Sequence, residues 1–106
     1  QRVQIVGGES WWTSTVKDDE LQAQAVALAK ALELTGHAVL QCFVRDGDVL
    51  WIECNPRFGG ASALAFEAGC NSAGWLMGDK MPQPLAPYEV GVTMLRYTQD
   101  RFVRNG

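Results

Sequence analysis

Apolar positions along the 106-residue chain follow two different periods. Between residues 19 and 34, Leu21, Ala25, Leu28, Ala29 and Leu32 recur at three and four residues. Ala and Leu dominate that stretch, so it predicts one amphipathic helix. Asp18 or Asp19 supplies a cap and an acidic first turn, and Gly36 follows the last turn. The runs 37–45 and 48–55 are β-rich, and the Asp46-Gly47 pair between them predicts a hairpin. Parity sharpens that expectation. Leu40, Cys42 and Val44 are apolar and even-numbered, and so are Leu50, Ile52 and Cys54. Paired residues share a sheet face, so evens should pair with evens. That requires an odd loop, expected as three residues over 45–47 with Gly47 left-handed. Gln41 then opposes Trp51 and lies diagonal to Glu53, about 7–8 Å away.

The remaining elements are shorter. Arg2-Val3-Gln4-Ile5-Val6 predicts a strand ended by Gly7-Gly8, and Glu9 to Thr15 a loop or irregular strand. Pro56 ends the second hairpin strand, and Arg57-Phe58-Gly59-Gly60 is a turn. Short helices are expected over 61–68 and from Asn71-Ser72 to about Met77. Residues 78–87, with Pro82, Pro84 and Pro87, form a connection, and 90–97 a final strand. This order predicts one α+β domain, an antiparallel sheet with helices packed on one face.

Composition narrows the function classes. Hydrophobic residues are 47% and charged residues 20%, ordinary for a globular domain. Nine basic against twelve acidic residues leave a net charge of −3, which argues against nucleic acid as a partner. Phosphate ligands stay open, because a bound metal can supply positive charge. No apolar run of about 18 residues predicts a membrane span. Cys42, Cys54 and Cys70 are odd in number, without a CxxC pair, and His37 is the lone histidine. A disulfide framework or zinc site is therefore not expected, and buried reduced thiols fit a cytoplasmic location. His37 is expected to be structural, and Trp11 and Trp12 to serve packing or an interface. Glu9, Ser10, Thr13, Ser14 and Thr15 are expected in a solvated loop. Arg96, Arg101 and Arg104 are expected as solvated charges. The chain opens at Gln1 within a predicted strand, without an initiator Met, which suggests a piece of something longer.

One run carries candidate chemistry: Trp51-Ile52-Glu53-Cys54-Asn55-Pro56-Arg57-Phe58-Gly59-Gly60. Glu53 and Asn55 are two apart on a strand, so they share a face about 6.5–7 Å apart. With Gln41 from the neighbouring strand they offer the hard oxygen atoms that Mg²⁺ accepts. Arg57 follows closely, and a guanidinium suits a phosphoryl group in transfer.

This run resembles the Glu-x-Asn-Pro-Arg motif of ATP-grasp enzymes, in the branch of the carbamoyl phosphate synthase large subunit. The resemblance extends back through Gly8-Glu9-Ser10 and the Ala/Leu helix, and forward through Ala61-Ser62-Ala63-Leu64 and Ala68-Gly69. It implies that residues 1–106 are a single C-terminal ATP-grasp subdomain. It implies Gln41, Glu53 and Asn55 as metal ligands of the nucleotide site, with Arg57 on the transferring phosphate. ATP and Mg²⁺ or Mn²⁺ would be the cofactors and a small carboxylate the substrate, activated as an acyl phosphate and attacked by an amine. The lobe that supplies the glycine-rich loop and ATP-binding lysine has no counterpart here, so the chain alone is expected to be inactive. A kinase or carboxylase-type relative would use the same ligands. A different class stays open as well, a non-catalytic interaction module derived from such an enzyme. A lobe without its partner should expose apolar surface, so a homodimer or strand exchange is expected.

Overall fold

A computed structural model describes residues 1–104 and 106. The architecture is α+β, with antiparallel sheets and, among the described residues, three helices. The strands divide into two sheets rather than one. Strand β1 (Arg2–Val6) turns at Gly7-Gly8 into β2 (Glu9–Ser14), and both glycines have positive φ, 57° and 80°. This matches the two-residue turn that joins right-twisted strands. The segment after Gly8 is thus the irregular strand: its register with β1 shifts twice between Arg2 and Ile5. Strand β5 (Thr93–Leu95) adds to the other edge of β2, giving the order β1-β2-β5. It is shorter than the expected 90–97, because Gly91 takes φ 87° and the Val92 N–H bonds the Thr15 hydroxyl.

Helix α1 (Asp19–Ala31) is capped by Asp18, whose carboxylate accepts from the Leu21 N–H at 2.9 Å. It stops before the expected residue 34, because Glu33 turns to φ 52° just after the Leu32 cap. Tyr88 tethers α1 to the end of β2. Its hydroxyl donates to the Val16 carbonyl at 2.7 Å and accepts from Gln22 Nε2 at 2.6 Å. The short helices α2 (Ser62–Glu67) and α3 (Ser72–Leu76) follow the second sheet. Among the described residues the buried apolar side chains are Leu64 and Ala68, on and just after α2. The core therefore sits where α2 faces β2, beside a cleft of about 370 Å³ lined by Thr13, Leu64, Ala65 and Tyr88. No helix among the described residues is long and apolar enough to cross a membrane.

The second sheet is the hairpin β3 (Val39–Arg45) and β4 (Asp48–Asn55). Its loop has two residues, not three. Arg45 pairs with Asp48, and Asp46 and Gly47 both take positive φ, 53° and 85°. Near the turn, evens pair with odds: Val44 with Val49, Phe43 with Leu50, Cys42 with Trp51. The register then shifts between Gln41 and Cys42, and Gln41 pairs with Glu53, Leu40 with Cys54, Val39 with Asn55. Ile52 is the inserted residue of a β-bulge. The odd residue demanded by parity is present, but in the strand rather than the loop. The physical reason is the turn: Asp-Gly closes a two-residue connection with the right twist, whereas parity only demands an odd residue somewhere.

Gly47 is the position most dependent on this turn. Gly47→Val should cost about 1–2 kcal/mol, because a β-branched residue at positive φ is strained. Urea unfolding measures this, and an unchanged midpoint would contradict the turn assignment.

Candidate functional site

Four candidate residues lie at the end of the hairpin remote from its turn. The bulge places Gln41 directly opposite Glu53, not opposite Trp51 as the straight register required. Asn55 stands two residues on, opposite Val39. Directly opposed residues have Cβ atoms about 4.5–5.5 Å apart, so Gln41 and Glu53 are closer than the expected diagonal. The Asn55 side-chain amide donates to Glu53 Oε1. Among the described residues Glu53 takes part in no ion pair. Gln41 is engaged differently: its Oε1 accepts from Arg2 Nη2 at 2.8 Å. Arg57 is exposed, and its guanidinium donates to the neighbouring Phe58 carbonyl at 3.0 Å. Gln41, Glu53 and Asn55 are thus brought together, while Arg57 points its donor along its own turn.

Glu53 and Asn55 carry a carboxylate and an amide, oxygen ligands of the kind a hard divalent cation takes, but the Asn55 amide nitrogen and not its oxygen faces Glu53. At Gln41, the Arg2 guanidinium already supplies positive charge to the side-chain oxygen. Among the described residues no group of three or more His, Cys, Asp and Glu side chains could hold a metal. Any cation here would rest on one carboxylate and amide oxygens.

The turn after Pro56 is built tightly. The Arg57 N–H bonds the Asn55 carbonyl at 2.8 Å, and the Gly59 N–H donates to Ser62 Oγ at 2.8 Å. Ser62 also meets His37 Nε2 at 3.1 Å, and His37 Nδ1 meets Ser72 Oγ at 2.8 Å. The Phe58 ring lies over the imidazole, centroids 4.4 Å apart, and Phe66 packs edge-on to Phe58 at 5.7 Å. His37 therefore ties the start of β3 to α2 and α3, the structural role expected of it. One ring nitrogen donates and the other accepts when the imidazole is neutral, and serine hydroxyls serve either need.

Two residues near the turn have roles that differ from expectation. Arg96 is not a solvated charge. Its Nη2 donates to the Gly60 carbonyl at 2.5 Å and its Nη1 lies 3.4 Å from Glu9 Oε2. Its side chain is only 29% exposed. Glu9 is correspondingly an ion-pair partner, and Ser10 and Thr13 are buried strand residues rather than loop. Arg96 so clamps the Gly59-Gly60 turn to the first sheet. The sequence signal was slight: a charged residue closing an apolar run, Val92 to Leu95. Arg2 carried no signal at all beyond its charge. Cys42, Cys54 and Cys70 are free and half-buried.

Comparison with known proteins finds a partial match. The chain is 40% identical over 57 residues to the carbamoyl phosphate synthase large chains of Methanoregula boonei and Methanoculleus marisnigri. The match covers 51% of this chain and 5% of each relative's length. No family model matches. The likeness is to a segment of a ligase chain, and it points to a distant relation with that ligase.

Gly59 offers a direct test of how the turn seats on β3. A Cβ built there lies 3.0 Å from Val39 Cγ2. Gly59→Ala should cost about 1 kcal/mol through overpacking, and Val39→Ala in the same chain should recover part of it. Thermal unfolding of the single and double variants measures this coupling, and strict additivity would show that the two residues do not touch.

Proposed function

We propose that residues 1–106 are the C-terminal subdomain of an ATP-grasp carboxylate ligase similar to carbamoyl phosphate synthase. The reading rests on one observation above others. The bulge sets Gln41 opposite Glu53 with Asn55 next along, so three oxygen-bearing side chains share one strand end. The partial likeness to two carbamoyl phosphate synthase large chains supports it. In this reading Glu53 and Asn55 hold Mg²⁺ or Mn²⁺, and Gln41 joins them once Arg2 is released from its oxygen. Bound there, the cation would neutralise phosphate charge on ATP. Arg57 turns from the Phe58 carbonyl to the transferring phosphate, where a fixed guanidinium stabilises developing charge. A small carboxylate is the substrate class, activated by ATP and then attacked by an amine. The glycine-rich and lysine-bearing lobe has no counterpart in these residues, so the chain alone turns nothing over.

A second reading is favoured by a specific contact. Arg2 on Gln41 Oε1 satisfies that oxygen without a metal, as an interaction module retaining the fold would require. The two readings separate in a polypeptide that carries both lobes. There, the ligase reading expects ATP hydrolysis dependent on a carboxylic acid, reduced about 100-fold by Glu53→Gln. Unchanged hydrolysis in that variant favours the module.

The 106-residue chain itself tests the ligand set. Mn²⁺ titrated into ¹⁵N-labelled protein should broaden the Gln41, Glu53 and Asn55 amide signals first. Glu53→Gln should weaken that effect about tenfold or more. Broadening centred on Asp46 and Asp48 instead, unchanged in the variant, would contradict the site.

A further inference from the structure

The chain exposes 8514 Å². A folded monomer of this mass exposes only about 5,800 Å², so the excess is roughly 2,700 Å². Obligate interfaces begin at about 2,000 Å² in total, or about 1,000 Å² from each partner, and the excess is larger than that. Apolar side chains of the second sheet share in that exposure: Phe43, Val44, Leu50 and Ile52 are exposed, Phe43 by 67%. That sheet has two strands, so among the described residues neither edge pairs with a further strand.

The edges are not equivalent. Strand β4 carries the bulge at Ile52, a device that spoils edge pairing. Strand β3 has the sequence VLQCFVR: no proline, no glycine, and one charge at its end. Long apolar edges of that kind pair with another strand. The tight turn decides which backbone groups face outward. Arg45 and Asp48 flank a two-residue loop and form a hydrogen-bonded pair, so the N–H groups of Val44, Cys42 and Leu40 point away from β4.

We infer that a second copy of this chain covers the β3 edge, as an antiparallel β3–β3 pair centred on Cys42. In that register the outward-facing residues meet one another: Cys42 meets Cys42 of the second copy, and Leu40 meets its Val44. No like charges are opposed. The sheet becomes four-stranded and closed by a two-fold axis. Period-two alternation puts residues 39, 41, 43 and 45 of β3 on one face. Arg45 then opposes Val39 of the second copy, whose own partner across the hairpin is Asn55. Two strand spacings, about 9.6 Å, separate Arg45 from that Asn55. Glu53, two residues along β4 and about 12 Å away by the same spacings, lies within the combined reach of an Arg and a Glu side chain, and it has no ion-pair partner among the described residues. Each copy thus contributes Arg45 to the Gln41–Glu53–Asn55 end of the other. Within the chain, the Arg45 guanidinium pairs with the exposed Asp46, at 3.8 Å. The inference shares Glu53 with the ATP-grasp reading but does not rest on it, and its test contains neither nucleotide nor metal.

Sedimentation equilibrium of the 106-residue chain at tens of micromolar should give a dimer. Val44→Pro removes one outward N–H and leaves the β3–β4 ladder bonds in place. It should raise the dimer dissociation constant at least about tenfold, with the circular dichroism spectrum retained. Arg45→Glu alters only an exposed side chain, and should weaken the dimer about tenfold at low salt and less at high salt. A monomer, an open-ended series of oligomers, or a dimer indifferent to both substitutions would overturn the proposal. If Val44→Pro fails to fold, Arg45→Glu alone decides, since a dimer equally tight in that variant at low salt excludes the pairing.

Discussion

A single inserted residue reconciles two demands on the hairpin. Asp46-Gly47 closes a two-residue turn, because both positions adopt positive φ. That turn pairs even residues with odd ones, which would set the Leu40 and Cys54 faces against each other. Ile52 absorbs the mismatch as a bulge, and beyond it evens pair with evens. The candidate site lies entirely beyond that point. Without the inserted residue, the tight turn and the face pattern could not both hold along one ladder.

Polar ties fix the surroundings of the site, since apolar burial is slight. Leu64 and Ala68 are the buried apolar side chains among the described residues. The turn after Pro56 is instead held by the Gly59 N–H on Ser62, by His37 between Ser62 and Ser72, and by Arg96 on the Gly60 carbonyl. Each such bond contributes about 1 kcal/mol net, more where a charge takes part. Held this way, the strand end carrying Glu53 and Asn55 is joined to both short helices and to the first sheet. The β3 edge, likewise, pairs with no further strand among the described residues.

Much of this was legible in the residues. The Ala/Leu period placed α1, the Asp-Gly pair placed the hairpin, and the Glu53-Cys54-Asn55-Pro56-Arg57 run marked the strand end. Parity located an extra residue but not its position, because alternation counts residues and does not distinguish a loop from a bulge. The division into two sheets was not legible, since strand partners follow from long-range pairing and not from local pattern. Arg2 and Arg96 were missed for the same reason: their partners, Gln41 and Gly60, lie 39 and 36 residues away. His37 was read as structural, and its contacts with Ser62 and Ser72 give that role a geometry.

The central claim is the register of β3 on β4 at the candidate site. Cross-strand nuclear Overhauser contacts between α-protons report it directly in a labelled sample of the chain. The bulged ladder predicts a strong contact between Leu40 and Cys54, together with one between Val44 and Val49. A contact between Leu40 and Ile52 in their place would mean a straight ladder from a three-residue loop, and would return Gln41 to a position opposite Trp51.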